Sequence, residues 1–255
     1  MYYGSKKEIP DKRDYKLKSK IVSAPKFPEK WELNLSEPKD QGIVNSCVAH
    51  SLATFLEKFN NDKMSVGFIY GYRPSTYSQD QGMYPREALK TLQKVGDVPY
   101  KNFEHNKEMK EIKDLVDNEI DKLKPIAENY KINSYARIYT EEEIKKCLLQ
   151  STPVPVSIPV YNDLAYDNTF IIKEPEGKLQ GYHMILICGY NEKGYIFQNS
   201  WGKYWADKGK AILPYDYPID SAWAISTEDN YIDTYQTIWQ KILKFIINIL
   251  QKIKK

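Results

Sequence analysis

The change in hydrophobic period near Gln150 most constrains the fold of this chain. Before it, apolar residues recur at helical spacing, as over 48–59 and 104–123. After it, apolar residues alternate with Pro and Ser over 154–160, and 184–188 has the composition of a further strand. A helical first part followed by a β-rich second part predicts an α+β fold with a cleft between the two parts.

Shorter signals place further elements. Residues 85–95 carry apolar side chains on one helical face, and Thr140 with Glu143 forms a Thr-x-x-Glu capping box, which is typical of a helix start. Residues 195–198 indicate a strand that follows a turn at 191–194. These elements agree with a helical first part and a β-rich second part.

A cysteine lies at the predicted start of the first helix. Cys47 immediately precedes the apolar-periodic residues, and Asn45 or Ser46 can cap the helix. Exposed N–H groups and the positive end of the helix dipole favour the thiolate, which is the reactive form. One such cysteine, with a distant His183 and Asn199, indicates a candidate nucleophilic site.

The spacing of these residues resembles that of the papain-like cysteine peptidases. Gln41 stands six positions before Cys47, and Asn199 stands sixteen positions after His183, as in that family. The residues at 199–202 reproduce its Asn-Ser-Trp-Gly motif. The resemblance runs from about residue 31 to about 225 and therefore covers most of the chain.

Two further segments extend the resemblance. Residues 201–209 are similar to the family pattern Trp-Gly-x-x-Trp-Gly-x-x-Gly, with Ala206 in place of a Gly, and 64–70 resembles a segment common in bacterial-type members. The family's usual Trp and Phe after the nucleophile are replaced by Val48 and His50, and we expect His50 to be a partly buried polar residue behind the helix.

The resemblance implies a two-lobed fold, with a helical N-terminal lobe, an antiparallel β-rich C-terminal lobe and the active site in the cleft between them. It also implies hydrolysis of peptide bonds through a thioester on Cys47, with His183 as the base and Asn199 orienting its imidazole. The oxyanion would be held by the Gln41 side chain and the backbone N–H of Cys47. Trp201 would cover the His–Asn hydrogen bond and contribute to the substrate-binding surface.

Two other classes of function stay open on the sequence. A papain-superfamily amidase or acyl transferase shares the order of Cys and His, although not Gln41 together with the Asn-Ser-Trp-Gly motif. A catalytically relict papain-fold binding module is the non-enzyme alternative, and the presence of all four polar residues argues against it.

Composition limits the partners. The net charge of +3 is too small to indicate nucleic-acid binding, and no metal-ligand spacing, phosphate-binding loop or dinucleotide motif is present, so we expect no metal and no cofactor. Cys147 and Cys188 fall in apolar helix and strand patterns, which predicts inert core thiols. Three cysteines cannot all pair, and a reducing compartment is expected.

The two ends of the sequence differ from the rest. Residues 1–30 are basic and contain Pro10, Pro25 and Pro28, which predicts an extended strap or a flexible arm, and the resemblance implies that a peptidase domain follows at 31–230. No secretory signal is visible, so a cytoplasmic location is expected. Residues 234–255 predict a basic amphipathic helix that docks on the chain itself, self-associates or binds an anionic membrane surface.

Overall fold

The computed structural model describes residues 3–11, 14, 27–74, 81–105, 108–161, 164 and 166–227. Within these residues, the α-helices lie before residue 150, and five of the seven strands of an antiparallel sheet follow it, while two short strands at 31–32 and 134–138 come earlier in the chain. The predicted α+β class is therefore confirmed. The predicted C-terminal helix at 234–255 and most of the arm at 1–30 lie outside the described residues.

Five α-helices are described: α1 (Cys47–Glu57), α2 (Val66–Gly71), α3 (Pro85–Lys94), α4 (Ile112–Ala127) and α5 (Glu141–Leu149). Helix α1 is the centre of the helical part, because each of its residues from Cys47 to Leu56 is buried. A helix covered on every side holds its first residue in a fixed position.

Helix α4 begins later than the sequence predicted. The predicted start at residue 104 is wrong, because Met109 and Glu111 have φ values of 49° and 55°, and left-handed residues interrupt an α-helix. The helix then extends four residues past the predicted end at 123, to Ala127. Its last turn contains Pro125, which the helix accommodates near its end.

The capping box of α5 is present as predicted. The hydroxyl of Thr140 accepts a hydrogen bond from the Glu143 N–H at 3.2 Å, and the Glu143 carboxylate accepts one from the Thr140 N–H at 3.1 Å. Both bonds satisfy N–H groups that a helix start otherwise leaves without partners.

The sheet contains β1 (Trp31–Glu32), β2 (Ser134–Ile138), β3 (Val154–Tyr161), β4 (Leu179–Asn191), β5 (Gly194–Gln198), β6 (Lys210–Leu213) and β7 (Ser221–Ser226). The order is β2-β7-β3-β4-β5-β6, with β1 paired to β4. The paired strands are antiparallel. Strand β4 is the longest strand and lies near the middle of the sheet.

The two faces of β4 belong to two different hydrophobic cores. Met184 and Leu186 pack into the core that contains α1, whereas Ile185 and Ile187 pack into the core on the other face of the sheet. This alternation follows from the two-residue period of a strand. It places β4 directly against α1, and the start of α1 therefore meets the strand that carries His183.

Within the described residues, no helix combines the length and the apolar character needed to cross a membrane.

Candidate active site

Cys47 is the first residue of α1, as its sequence position predicted. Ser46 occupies the N-cap position, although its side chain makes no capping hydrogen bond. The Cys47 sulfur accepts a hydrogen bond from the backbone N–H of Met184 at 3.4 Å. Because Met184 follows His183 in β4, this contact fixes the thiol beside the strand position that carries the imidazole.

The structure brings His183 and Asn199 together. Their Nε2 and Oδ1 atoms lie 2.7 Å apart, and the Trp201 ring stacks on the imidazole with 4.7 Å between ring centroids. An amide oxygen accepts hydrogen bonds only, so Nε2 carries the proton and a neutral imidazole has its lone pair on Nδ1. That Nδ1 is buried and has no hydrogen-bond partner among the described residues.

Gln41 is fixed by hydrogen bonds at both ends of its side-chain amide. Its Nε2 donates to the Val44 carbonyl at 2.7 Å, and its Oε1 accepts from the Ser200 hydroxyl at 2.6 Å. The Ser200 N–H in turn donates to Asn199 Oδ1 at 2.8 Å. Gln41 and the His183–Asn199 pair are therefore parts of one hydrogen-bonded arrangement. Sequence reasoning assigned no role to Ser200, although its place in the Asn-Ser-Trp-Gly motif was a signal.

Residues 3–9, called here the N-terminal segment, lie across this site in an extended conformation. The Ser5 N–H donates to the Tyr182 carbonyl at 3.0 Å, next to His183. On its other side, the segment exchanges hydrogen bonds with Met83, whose N–H donates to Gly4 at 2.8 Å and whose carbonyl accepts from Lys6 at 2.9 Å. The segment is therefore held between the helical part and the sheet, which is where the sequence predicted the cleft.

The segment covers the candidate catalytic atoms. The Tyr3 ring contacts the rings of His183 and Trp201, with centroid distances of 6.2 and 6.3 Å. Gly4 fits so closely that a Cβ atom at this position would overlap the carbonyl oxygen of Asn45. As a result, both Cys47 and His183 are 0% exposed. This arrangement is called the closed form below.

Burial in the closed form changes the expected ionisation of the site. It raises the pKa of Cys47 to about 11, although the backbone N–H groups of Met184 and Gly4 act in the opposite direction. Burial likewise lowers the pKa of His183 to about 4, against the effect of Asn199. Burial therefore favours the neutral thiol and the neutral imidazole in the closed form, in contrast to the thiolate that the helix start by itself favours. Desolvation outweighs the helix dipole there.

The other two cysteines and His50 are buried as parts of the core. Burial raises the pKa values of Cys147 and Cys188 to about 12, which agrees with inert thiols, and all three cysteines are free. His50 is more deeply buried than predicted, its Nδ1 lies 3.0 Å from the Ser46 carbonyl oxygen, and burial lowers its pKa to about 3. Among the described residues, no three or more His, Cys, Asp or Glu side chains are grouped to hold a metal ion.

The lowered pKa values of His183 and His50 predict a loss of stability in acid. Each imidazole stays neutral in the folded chain, whereas the unfolded chain takes up a proton below about pH 6.5. The free energy of unfolding should therefore fall as the pH decreases from about 6.5 towards 4, by up to about 1.4 kcal/mol per pH unit for each histidine. Urea unfolding of the parent and of His183→Gln at several pH values measures this. An equal pH dependence in both would contradict the expectation for His183.

Comparison with known proteins places the chain in a family. A sequence model described as papain family cysteine protease matches residues 74–215, which is more than half of the chain. The chain belongs to the papain family of cysteine proteases. The match contains His183 and Asn199, while Gln41 and Cys47 precede it.

Relatives and solved structures agree with this placement. An uncharacterized peptidase C1-like protein of Acanthamoeba polyphaga mimivirus is 27% identical over 207 residues, covering 71% of this chain and 65% of the viral protein. Cathepsin B-like cysteine proteinase 1 of Haemonchus contortus is 28% identical over 92 residues, or 34% of this chain and 27% of its own length. The chain thus spans less than two-thirds of the length of these relatives.

The fold comparison reaches further along the chain. The crystal structure of xylellain, a cysteine protease from Xylella fastidiosa, matches with a TM-score of 0.73 and 26% identity, covering 88% of this chain and 96% of that one. Digestive procathepsin L 3 of Tenebrio molitor, at 16% identity and a TM-score of 0.61, covers 88% and 76% and shows the fold alone. The predicted papain-like family and fold are confirmed, and the matches support the predicted enzyme class, a cysteine-type peptidase.

Proposed function

We propose that this chain hydrolyses peptide bonds in polypeptides through a thioester on Cys47, with His183 as the base. One observation carries the proposal. The Cys47 sulfur is fixed against the backbone of β4 beside His183, while Asn199 holds the far nitrogen of that imidazole. A nucleophile, a base and an orienting group in this arrangement are the requirements for covalent catalysis of acyl transfer.

The first half of the reaction forms the thioester. His183 Nδ1 takes the proton of the Cys47 thiol, and the thiolate attacks the scissile carbonyl carbon. We assign the developing negative charge to the backbone N–H of Cys47 and to the second N–H of the Gln41 amide. The imidazolium then gives its proton to the leaving nitrogen, and the C–N bond breaks.

The second half releases the acyl group. His183 removes a proton from water, the hydroxide equivalent attacks the thioester carbonyl, and the Cys47 sulfur leaves and is reprotonated. Asn199 keeps Nε2 protonated throughout, so each transferred proton passes through Nδ1. The stacked Trp201 shields the His183–Asn199 hydrogen bond from competing water.

Turnover requires the N-terminal segment to leave the cleft. Substrate cannot reach Cys47 while Gly4 and Ser5 occupy the space above it, since neither Cys47 nor His183 has any exposed surface. Opening also returns water to the site, which lowers the pKa of the thiol from its closed-form value. The closed form is therefore the inactive state of the proposed peptidase.

The full-length Gly4→Val chain provides a test of the proposal. Valine cannot occupy position 4 against Asn45, so this variant should hydrolyse fluorescently labelled casein faster than the parent chain. Gln41→Glu in that chain should then reduce kcat/KM by about 100- to 1000-fold, because one oxyanion donor is lost while the acceptor for Ser200 is kept. Unchanged hydrolysis in Gln41→Glu would disprove the oxyanion assignment, and no hydrolysis in Gly4→Val would disprove the activity.

We also propose a setting for the chain. Three free, buried cysteines are consistent with a reducing compartment such as the cytoplasm. For residues 234–255, which lie outside the described residues, the apolar stripe and lysine-rich face support docking, self-association or contact with an anionic membrane surface. Residues 1–30, 31–230 and 234–255 are proposed as arm, peptidase domain and C-terminal helix.

A further inference from the structure

One arginine holds the N-terminal segment at the end remote from Tyr3. Arg86 is the second residue of α3, and its backbone N–H and guanidinium Nη1 donate to the two carboxylate oxygens of Glu8 at 2.7 and 2.6 Å. Its Nε and Nη2 donate to the two oxygens of Asp14 at 2.7 and 2.6 Å. The guanidinium also lies 5.5 Å from the centre of the Trp223 ring. Arg86 is thus a fixed receptor for carboxylates.

The bound carboxylate of Glu8 is almost completely removed from water. Glu8 is 3% exposed although it belongs to a short extended segment, whereas its neighbour Ile9 is 78% exposed. The backbone N–H of Glu8 donates to Asp220 Oδ2 at 3.1 Å, so the main chain and the side chain have separate partners. Arg86, Trp223 and Asp220 all belong to the folded domain, so the receptor does not depend on the segment for its construction.

The receptor lies in line with the candidate catalytic centre. The same segment passes Cys47 at Gly4 and reaches Arg86 at Glu8, four residues later. In a substrate, the leaving nitrogen must come within reach of His183. The chain after the scissile bond therefore lies towards His183 and Trp201, where the segment has Tyr3, and the chain before the bond lies towards Arg86.

We propose that Arg86 is a specificity-determining residue, and that its receptor binds an acidic side chain of the polypeptide substrate about four residues before the scissile bond. This inference rests on the proposed peptidase function. Glu8 occupies the position of that side chain in the closed form. Tyr3 lies at the end of the cleft where a substrate would continue after the scissile bond, but in the chain Tyr3 comes before Gly4. The segment therefore runs in the direction opposite to a substrate. It fills the receptor without presenting its own peptide bond for attack.

Carboxylate recognition is the chemistry that this site suits best. Two donors of Arg86, its backbone N–H and Nη1, match the two oxygens of the Glu8 carboxylate, and this N–H lies at the positive end of the α3 dipole. The side-chain amide of Gln has the same shape as the carboxylate of Glu, but only its oxygen accepts hydrogen bonds. Its NH₂ group would face an N–H donor of the receptor. We therefore expect Glu to be selected over Gln at this position by about tenfold or more.

A binding experiment tests the receptor without catalysis. The protein is the full-length chain with Gly4→Val, Glu8→Gln and Asp14→Asn, which removes the internal ligands, and with Cys47→Ala. The probes are the peptide Tyr-Gly-Ser-Lys-Lys-Glu-Ile-Pro-Asp, which corresponds to residues 3–11, and its Glu8→Gln twin. The Glu peptide should have a Kd about tenfold lower or more by calorimetry, and Arg86→Gln or Arg86→Lys should reduce that ratio. Equal affinity of the two peptides would overturn the proposal.

A cleavage experiment tests the specificity. The same variant with Cys47 retained is incubated with random-sequence peptides, and cleavage sites are read by mass spectrometry. Glu and Asp should be enriched about four residues before the cut, and Arg86→Gln should lose the enrichment. Lys90→Gln, which removes a positive charge from an exposed position of α3, should keep it.

The outcomes distinguish a failure of the specificity proposal from a failure of the proposed peptidase function. Cleavage without acidic enrichment means that Arg86 holds only the N-terminal segment, and the specificity proposal fails while the peptidase stands. Absence of any cleavage means that the proposed peptidase function itself fails, and with it the specificity.

Discussion

Peptide hydrolysis by the Gly4→Val chain is expected to fall by roughly 10⁴-fold or more when Cys47 or His183 is replaced by alanine. Cys47→Ala removes the atom that forms the thioester. His183→Ala removes the group that takes and returns each proton, and it also leaves Asn199 Oδ1 and the Trp201 face without the ring they contact. The double variant should lose no more activity than either single variant, since the two residues act as a unit.

Two matched variants control for stability. Cys147→Ala and Cys188→Ala each remove a buried thiol from the core, but not from the cleft, and both should retain hydrolysis. Initial rates on labelled casein are compared at equal amounts of folded protein, as judged by thermal unfolding. Hydrolysis by Cys47→Ala at more than a tenth of the Gly4→Val rate would exclude Cys47 as the nucleophile.

Opening of the cleft should be visible as a large change in thiol reactivity. At pH 7.5, a thiol with the closed-form pKa of about 11 is ionised in only about one molecule in 3000. An ordinary thiol is ionised in about one in ten. Gly4→Val should therefore increase the rate of Cys47 alkylation on the order of 100-fold or more, because its Cβ atom excludes the N-terminal segment from the cleft.

The alkylation experiment includes internal controls. Brief treatment with iodoacetamide, followed by peptide mapping, should label Cys47 in Gly4→Val and leave the buried Cys147 and Cys188 unlabelled in both chains. Lys7→Val, which introduces the same side chain at an exposed position of the segment, should alkylate at the parent rate. Equal alkylation of Cys47 in the parent and Gly4→Val chains would show that the segment does not close the cleft in solution.

Local patterns in the sequence were sufficient to predict most elements, whereas the candidate catalytic residues were predicted from the resemblance to a family. The start of α1 at Cys47, the capping box of Thr140 and the alternation in β3 depend on neighbours within a few positions, and the structure has all three. The error at the start of α4 came from residues 109 and 111, whose left-handed backbone no hydrophobic period indicates.

The amino-acid sequence by itself determined the papain-like family, the α+β class and the residue types that the chemistry needs, because these depend on short motifs and periodicity. Only the tertiary structure decided which distant residues meet at the site and how far the site is removed from water. The contact of Arg86 with Glu8 spans 78 positions, and that of Ser200 with Gln41 spans 159. The raised pKa of Cys47 depends on its removal from water by a segment more than 35 positions earlier in the chain, at Tyr3 to Ile9. Desolvation depends on everything that surrounds a group in space, and the order of residues along the chain does not contain that information.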